Sequence, residues 1–240
     1  MRSRLIQNNI PELKNDIPRA ESATPGASHS LASRSVERTL ERRRTAYADE
    51  VERLVAASFA LIRENADLEP RVGEIVRAAG LSNQAFYRHF RSKDELLVTV
   101  LDTGIRRLVD YLAHRMETAD TPQEKIDRFL QGMAAQALDP AAARATRPFA
   151  LSRARLAERF PEEVAASERG LTALLRAAIA EALESGALPD ADPERDAALL
   201  YDLAMGWLQR VLAQPQPPSA ADAEHLLEFA SHGLRRRAQG

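Results

Sequence analysis

Residues 71–96 restrict the fold of this chain more than any other segment, because two short helical patterns lie on either side of Gly80. Before the glycine, apolar residues recur with the spacing of one helix face, and they are Val72, Ile75, Val76 and Ala79. Gly80 follows where a helix commonly ends in the left-handed conformation, and Ser82 can cap the next helix. That second helix should bury Phe86 and Phe90. The sequence therefore predicts two short helices joined by a tight turn.

A third helix is predicted directly after this pair. Ser92 and Glu95 have the spacing of a capping box, so the helix should begin at Lys93. The helix after the turn also carries amides, Asn83 and Gln84, at its exposed start. A short helix, a glycine turn and a second short helix with such groups form the helix-turn-helix arrangement that enters the DNA major groove.

The same segment resembles the DNA-binding signature of the tetracycline-repressor (TetR) family of bacterial transcription factors, over about residues 47–101. The residues that carry the resemblance are Phe86-Tyr87-Arg88-His89-Phe90, Gly80, Ser82, Lys93 and the hydrophobic helix after it. Two positions depart from the family pattern. Pro70-Arg71 stand where the family usually has Thr or Ser, and Gln84 stands where it often has glycine or another small residue. Both departures change the available DNA contacts rather than the fold.

Motif position and chemistry together suggest a set of DNA-binding residues, namely Arg71, Ser82, Asn83, Gln84, Tyr87, Arg88, His89 and Lys93. Amides at the helix start can pair with adenine edges, and their alternative is plain solvent exposure. Tyr87 is either a phosphate-contacting hydroxyl or a partly buried aromatic. His89 either donates to phosphate or packs against Phe59. Lys93 lies at a helix N-terminus, where the dipole and free N–H groups already favour an anion.

The remainder of the chain shows only helical patterns, so the expected class is all-α. Breaks marked by proline, glycine and aspartate divide it into six candidate helices, at 93–118, 122–138, 140–157, 161–185, 193–213 and 219–236. With the first three this makes nine, the number usual in the resembled family. The resemblance implies a three-helix helix-turn-helix domain followed by a six-helix domain for ligand binding and dimerisation.

We expect three parts: a disordered basic leader at 1–39, a helix-turn-helix domain at 40–92, and an all-helical effector-binding and dimerisation domain at 93–240. The leader is rich in proline and shows no lasting periodicity. It is either a non-functional extension or an arm that contacts DNA. A long helix should follow from about Leu40. The net charge is −2, yet residues 34–47 carry +3 and residues 71–93 carry +4, which concentrates positive charge at the DNA-binding end.

Composition and motifs disfavour several other classes. The chain has no cysteine, no apolar run long enough to span a membrane, and no apolar stretch that would make its start a signal peptide. Its five histidines lack metal spacing, and it contains neither a phosphate-binding glycine loop nor a nucleophile elbow. We therefore expect no enzyme, no cofactor and no metal. The expected location is the bacterial cytoplasm, on the nucleoid. A helical enzyme and a constitutive DNA-binding protein without an effector remain the alternatives.

Apolar residues of the long helices suggest a ligand site. The candidate ligand-binding residues are Leu112, Met116, Phe129, Met133, Arg144, Arg147, Phe149 and Trp207. They indicate a mainly hydrophobic effector with an acidic head, such as a fatty acid or acyl thioester, held by arginines at the mouth. The alternative is that the apolar surface is core and that the arginines are solvated or paired with Glu158, Glu162 and Glu163.

The resemblance also implies that the last two helices form a four-helix dimer interface. Two apolar stripes allow this, one of Ala197, Leu200, Tyr201, Ala204, Leu208, Val211 and Leu212 and one of Leu226, Leu227, Phe229 and Ala230. The alternative is that they complete the core of one chain. The expected partners are double-stranded palindromic operator DNA, a second copy of the chain and a small-molecule effector, with no membrane. The expected activity is repression that the effector relieves.

Overall fold

The computed structural model describes residues 31–65 and 70–236. Within these ranges it contains nine α-helices and no strand. The helices are α1 (Leu31–Asn65), α2 (Val72–Ala79), α3 (Asn83–His89), α4 (Lys93–Glu117), α5 (Pro122–Leu138), α6 (Pro140–Arg159), α7 (Pro161–Glu184), α8 (Pro193–Ala213) and α9 (Ala220–Arg236). The predicted all-α class is confirmed.

The ends of the later helices follow from proline and capping chemistry. Pro122, Pro140, Pro161 and Pro193 each begin a helix, at a position whose N–H would have no partner inside the helix. Asp139 precedes one of them, and its carboxylate accepts from the Ala142 N–H at 2.7 Å. Every predicted span from residue 93 onward agrees with the structure to within two residues at either end.

The first helix begins earlier than expected, at Leu31 instead of about Leu40. Residues 31–39, assigned to the disordered leader, are therefore helical. The stretch contains no proline or glycine, and it places Arg34 three residues before Glu37, a spacing that supports a helix. Its side chains from Ser33 to Arg44 are all exposed. Among the described residues, those up to Arg44 form one structural unit and those from Thr45 onward form another. The rest of the predicted leader, residues 1–30, lies outside the described residues.

The second unit is organised around one hydrophobic core. Its largest fully buried side chains include Phe86 next to the turn and Leu112, Phe129 and Met133 in the bundle. Each such side chain contributes about 1.5–3 kcal/mol when it leaves water. Gly132 lets α4 and α5 approach closely, because a Cβ there would lie 2.4 Å from Leu112 Cδ2. Four of the predicted ligand-binding residues, Leu112, Met116, Phe129 and Met133, belong to this core.

The stripes predicted for dimerisation mostly complete this core. All seven members of the α8 stripe are buried within one chain, as are Leu226 and Ala230 of the α9 stripe. The monomer-core alternative therefore explains most of them. Other apolar side chains on these helices do face outward: Leu199 is 62% exposed and Phe229 is 63% exposed.

Membrane-spanning and metal-binding features were expected to be absent. No described helix contains an apolar stretch of the length and hydropathy needed to cross a membrane. Among the same residues, no three His, Asp or Glu side chains are grouped so that they could hold a metal ion.

Candidate DNA-binding surface and ligand cavity

The turn between α2 and α3 is closed by backbone hydrogen bonds. Gly80 has φ 64° and ψ 37°, the left-handed conformation that glycine adopts without steric cost. Its N–H donates to the Arg77 carbonyl at 3.1 Å, and the Leu81 N–H donates to the Val76 carbonyl at 2.8 Å. These bonds satisfy carbonyls at the end of α2 that have no partner inside the helix. The predicted role of Gly80 as a helix stop is confirmed.

Arg53, on α1, holds this turn from outside. Its Nε donates to the Ala79 carbonyl at 3.0 Å, and its Nη2 donates to the carbonyls of Ala79 at 2.5 Å and Gly80 at 3.0 Å. A cation at the C-terminus of a helix is also favoured by the helix dipole. Sequence reasoning missed this contact, because nothing near Arg53 in the sequence points to a partner 26 residues away.

Helix α2 starts without the Thr or Ser that is usual at this position in the resembled family, and Glu74 binds the free N–H group instead. Glu74 Oε2 accepts from the Arg71 N–H at 2.9 Å, which is the carboxylate half of a capping box. The other half is missing, because an arginine side chain has no acceptor. Arg71 itself is exposed and has the extended backbone angles typical of a residue that caps a helix start. Its guanidinium is therefore accessible at the start of α2.

Helix α3 separates its two faces clearly. Phe86 and Ala85 are buried, while Asn83, Gln84 and Tyr87 are exposed, Tyr87 at 63%. Ser82 was predicted both to cap this helix and to contact DNA, and the cap is confirmed, since its Oγ accepts from the Ala85 N–H at 3.1 Å. The exposed face therefore presents two amides and a phenol hydroxyl, groups that suit base edges and phosphate oxygens.

His89 occupies a different place from either interpretation of the sequence. Its side chain is 0% exposed and its Nε2 lies 2.6 Å from Glu50 Oε2. Its ring meets that of Tyr47 edge-on at 4.0 Å between centroids. A buried imidazole with this partner offers no donor to a phosphate, and it does not pack on Phe59. His89 instead anchors α3 to α1.

Arg88 binds the same carboxylate. It forms an ion pair with Glu50 while its side chain stays about half exposed. Hydrogen bonds from His89 and then Arg88 lower the pKa of Glu50 below its ordinary value. The Tyr47 hydroxyl adds a bond to the Arg88 carbonyl at 3.3 Å. Glu50 and Arg53 thus attach both helices of the helix-turn-helix to α1. Because Arg88 pairs with Glu50, only the exposed part of its guanidinium can contact DNA.

Helix α4 begins at Lys93, as the sequence predicted. Ser92 Oγ accepts from the Glu95 N–H at 3.1 Å, and the Glu95 carboxylate accepts from the Arg91 N–H at 2.5 Å. Lys93 is half-buried at the first position of the helix. Free N–H groups at that end favour an anion.

A cavity of about 620 Å³ lies inside the second unit. Side chains from α1, α4, α5, α6, α7 and α8 line it. The apolar lining consists of Ala56, Phe59, Ala60, Leu101, Gly104, Ile105, Leu108, Tyr111, Ala145, Phe149, Ala150, Leu171, Met205 and Leu208. The polar lining consists of Arg63, Arg107, Gln136, Thr146, Arg153 and Glu168. Volume and lining are typical of a small-molecule site.

Of the eight predicted ligand-binding residues, only Phe149 lines the cavity. Leu112, Met116, Phe129 and Met133 are in the core, and Trp207 is buried without being part of the lining. Arg144 and Arg147 are exposed and lie outside it. The inward-facing side chains of Leu112, Phe129 and Met133 are packed into the core, whereas the cavity lies between other faces of the helices.

The arginines of α6 have different partners from those considered from sequence. Arg153 forms a two-pronged pair with Glu168, in which Nη2 lies 2.5 Å from Oε2. Beside this pair, burial and the Glu168 charge raise the pKa of the Tyr201 hydroxyl. Arg155 and Arg159 both pair with Asp94 near the start of α4. Glu168 and Asp94 are therefore the acids with which the structure pairs these three arginines.

Comparison with known proteins agrees with this geometry. The family of bacterial regulatory proteins called tetR matches residues 54–100. The HTH-type transcriptional regulator BetI of Rhizobium meliloti (strain 1021) is 30% identical over 78 residues, which cover 32% of this chain and 38% of BetI. The aligned stretch thus spans well under half of that relative.

Two solved structures share the fold over most of the chain. FadR from Bacillus subtilis, in complex with stearoyl-CoA, is 17% identical with a TM-score of 0.61, covering 76% of this chain and 98% of FadR. AibR, in complex with isovaleryl coenzyme A and operator DNA, is 15% identical with a TM-score of 0.53, covering 77% of this chain and 97% of AibR. At these identities the likeness shows the fold alone. By the match over residues 54–100, the helix-turn-helix segment of this chain is that of the tetR family of bacterial regulatory proteins.

Proposed function

We propose that this protein is a transcriptional repressor that binds a palindromic operator as a homodimer and leaves it when a small, mainly apolar molecule occupies the cavity. The observation that carries the proposal is the exposed face of α3. Asn83, Gln84 and Tyr87 face solvent there, while Glu50 and Arg53 hold the helices that present them. Polar groups on a rigid short helix are what recognition of a DNA groove requires. The protein acts in the bacterial cytoplasm, on the nucleoid.

Roles within this surface follow from side-chain chemistry. Asn83 and Gln84 contact base edges, because an amide can pair with adenine through two hydrogen bonds. Tyr87, Lys93 and Arg71 contact phosphates, which fix position without specifying sequence. The exposed arginines between residues 34 and 44 add to affinity by releasing counterions. The solved AibR complex contains operator DNA, which supports this use of the fold.

The second copy of the chain binds through the outer face of α8 and α9. Leu199 and Phe229 are exposed there, although both are large and apolar. Gly206 and Gly233 lie on the same helices, and a Cβ added to either would meet no atom within 4 Å. Open space above small residues allows another helix to approach closely. A two-fold dimer of this kind presents two α3 helices to half-sites about 34 Å apart.

Release by an effector uses α1, which belongs to both sites. Phe59 and Ala60 line the cavity, and Arg53 holds the turn about two helical turns earlier. A molecule that changes the packing of α1 in the cavity therefore changes the support of the helix-turn-helix. Such coupling needs a difference in affinity between two states of about 1–3 kcal/mol. FadR, which shares the fold, has been solved with stearoyl-CoA, a molecule with a long apolar acyl chain.

The DNA roles are tested by substitutions measured against several operator sequences. Tyr87→Phe and Lys93→Ala should weaken binding to all sequences, and Lys93→Ala should reduce the salt slope by about one unit. Asn83→Ala or Gln84→Ala should change base preference by about 1–3 kcal/mol. Arg176→Ala, on α7, is the matched control and should change nothing. Uniform weakening by all four substitutions would contradict the assignment of base and phosphate contacts.

The dimer is tested by placing a charge on its proposed surface. Phe229→Glu should shift the sedimentation equilibrium towards monomer and lower operator affinity, because a buried carboxylate is costly at an apolar interface. Leu151→Glu is the matched control, since Leu151 is an exposed apolar residue on α6. Dimers that persist in Phe229→Glu would place the interface elsewhere.

Operator binding that no small molecule alters would favour a constitutive DNA-binding protein.

A further inference from the structure

The side chains that line the cavity include more positive groups than negative ones. It contains three guanidinium groups, those of Arg63, Arg107 and Arg153, and one carboxylate, that of Glu168. Arg153 and Glu168 neutralise each other through their two-pronged pair. Within the described residues, no carboxylate pairs with Arg63 or Arg107. The lining as a whole therefore carries more positive than negative charge, which favours an anionic ligand over a cationic one.

Arg107 is held in place without using its N–H donors. Its Cζ lies 4.9 Å from the centroid of the Phe59 ring, so the guanidinium is attracted to the ring face. Phe59 in turn packs on Phe149 with 5.6 Å between centroids. Gly104 lies beside the same ring, and a Cβ there would be 3.4 Å from the Phe59 Cζ, an ordinary van der Waals contact. The donors of Arg107 remain available for an oxyanion, to which they can make two parallel bonds.

Arg63 lies on the same side of α1 as Phe59, four residues later. Both Arg63 and Arg107 are exposed at the cavity edge, whereas the interior of the lining is mostly apolar. The Thr146 hydroxyl donates to Gln136 Oε1 at 3.3 Å, and neither of these uncharged side chains favours a charged ligand. The cavity thus combines a charged edge with an apolar interior.

We infer that the effector is an amphiphile whose oxyanion head, a carboxylate or a phosphate, is bound by Arg63 and Arg107. Its apolar body lies against Phe59, Phe149 and Leu108. This inference rests on the proposed effector response, and it replaces Arg144 and Arg147 as the arginines that bind the acidic head. A head bound to both Arg63 on α1 and Arg107 on α4 also links the helix that supports the DNA-binding surface to the body of the protein.

Direct binding to the full chain without DNA tests the inference. The ligands are alkyl and aromatic carboxylates, the alcohol and the trimethylammonium compound of matching shape, and the acyl-CoA of matching length. The signal is calorimetric heat, supported by fluorescence of the single tryptophan, Trp207, which lies beside the lining residues Met205 and Leu208 on α8. Carboxylates or acyl-CoA should bind at least about tenfold more tightly than the matched alcohols, and the trimethylammonium compounds should bind weakest.

The arginines are then tested individually. Arg107→Gln and Arg63→Gln should each weaken the binding of the anion by about tenfold or more and leave alcohol binding unchanged. Arg107→Lys should recover part of the loss. Arg106→Gln is the matched control, since Arg106 is the neighbouring exposed arginine, pairs with Asp102 and does not line the cavity. Thermal unfolding of each variant separates loss of binding from loss of fold.

Three results would overturn the inference. They are equal affinity for carboxylate and alcohol, equal effects of Arg106→Gln and Arg107→Gln, and no binding by any member of the panel. A preference for acyl-CoA over the free acid would identify phosphate as the oxyanion, and the reverse would identify carboxylate. Operator release is measured separately. Anion binding that depends on Arg107 but leaves the operator complex intact would retain the inference and refute the proposed release.

Discussion

Replacing Gly80 with alanine should destabilise the protein by about 2–3 kcal/mol. Alanine at φ 64° places its Cβ too near the following carbonyl, which costs about 1–2 kcal/mol. The new Cβ would also lie 3.0 Å from Arg53 Nη2, so the guanidinium must move from the Ala79 and Gly80 carbonyls. Because these bonds are only partly buried, their loss should add about 1 kcal/mol.

Two other glycines provide matched controls. Gly186 also has positive φ, at 76°, but open space surrounds its Cβ position. Gly186→Ala should therefore cost only the strain, about 1–2 kcal/mol. Gly73 lies within α2 with open space and no positive φ. Gly73→Ala should stabilise the protein by about 0.4–1 kcal/mol, since alanine loses less backbone entropy in a helix. Three chemically identical changes thus have three distinct expected results.

Urea unfolding followed by circular dichroism, at one fixed protein concentration, measures these differences. A double-mutant cycle with Arg53→Ala isolates the contact: in that background Gly80→Ala should cost only the strain. Operator affinity should fall for Gly80→Ala and remain unchanged for Gly186→Ala. A stabilising Gly80→Ala would show that the turn does not need the left-handed conformation. An equal cost of Gly80→Ala in both backgrounds would refute the role of Arg53.

Other consequences of the structure can be measured in the same way. Leu112→Ala should cost about 2–5 kcal/mol by urea unfolding, because Leu112 is fully buried core, whereas Leu108→Ala at the cavity should cost less. Deleting residues 1–33 should leave thermal unfolding nearly unchanged, while deletion through Arg44 should also reduce DNA affinity and its salt slope. The lowered pKa of Glu50 means that its contribution to stability is present above its unfolded pKa of about 4.5 and is lost as pH falls through the folded value. Glu50→Gln should therefore flatten the dependence of unfolding free energy on acidic pH.

Helix boundaries were predictable because they depend on neighbouring residues. Pro122, Pro140, Pro161 and Pro193 mark helix starts by their fixed φ and missing N–H. The start of α1 was not predictable by the same means. Its first turns are exposed on every side, so no apolar stripe distinguishes them from an unfolded segment.

The exposed face of α3 was also predictable, because burial of Phe86 fixes which side chains of a short helix face outward. The anchors of that helix were not. Glu50 meets Arg88 and His89 at separations of 38 and 39 residues, and no local pattern indicates such a pairing. For the same reason the sequence assigned His89 to DNA, although the histidine of the motif is a buried support.

The cavity was the least predictable part of the site, and its composition explains why. Leu112 and Phe149 both lie on inward faces of amphipathic helices, so hydrophobic periodicity treats them alike. What separates them is how closely the helices approach each other. Leu112 lies directly against Gly132 of α5, whereas Phe149 packs on Phe59 and borders the cavity. The position of the cavity therefore depends on how several helices pack rather than on any one segment.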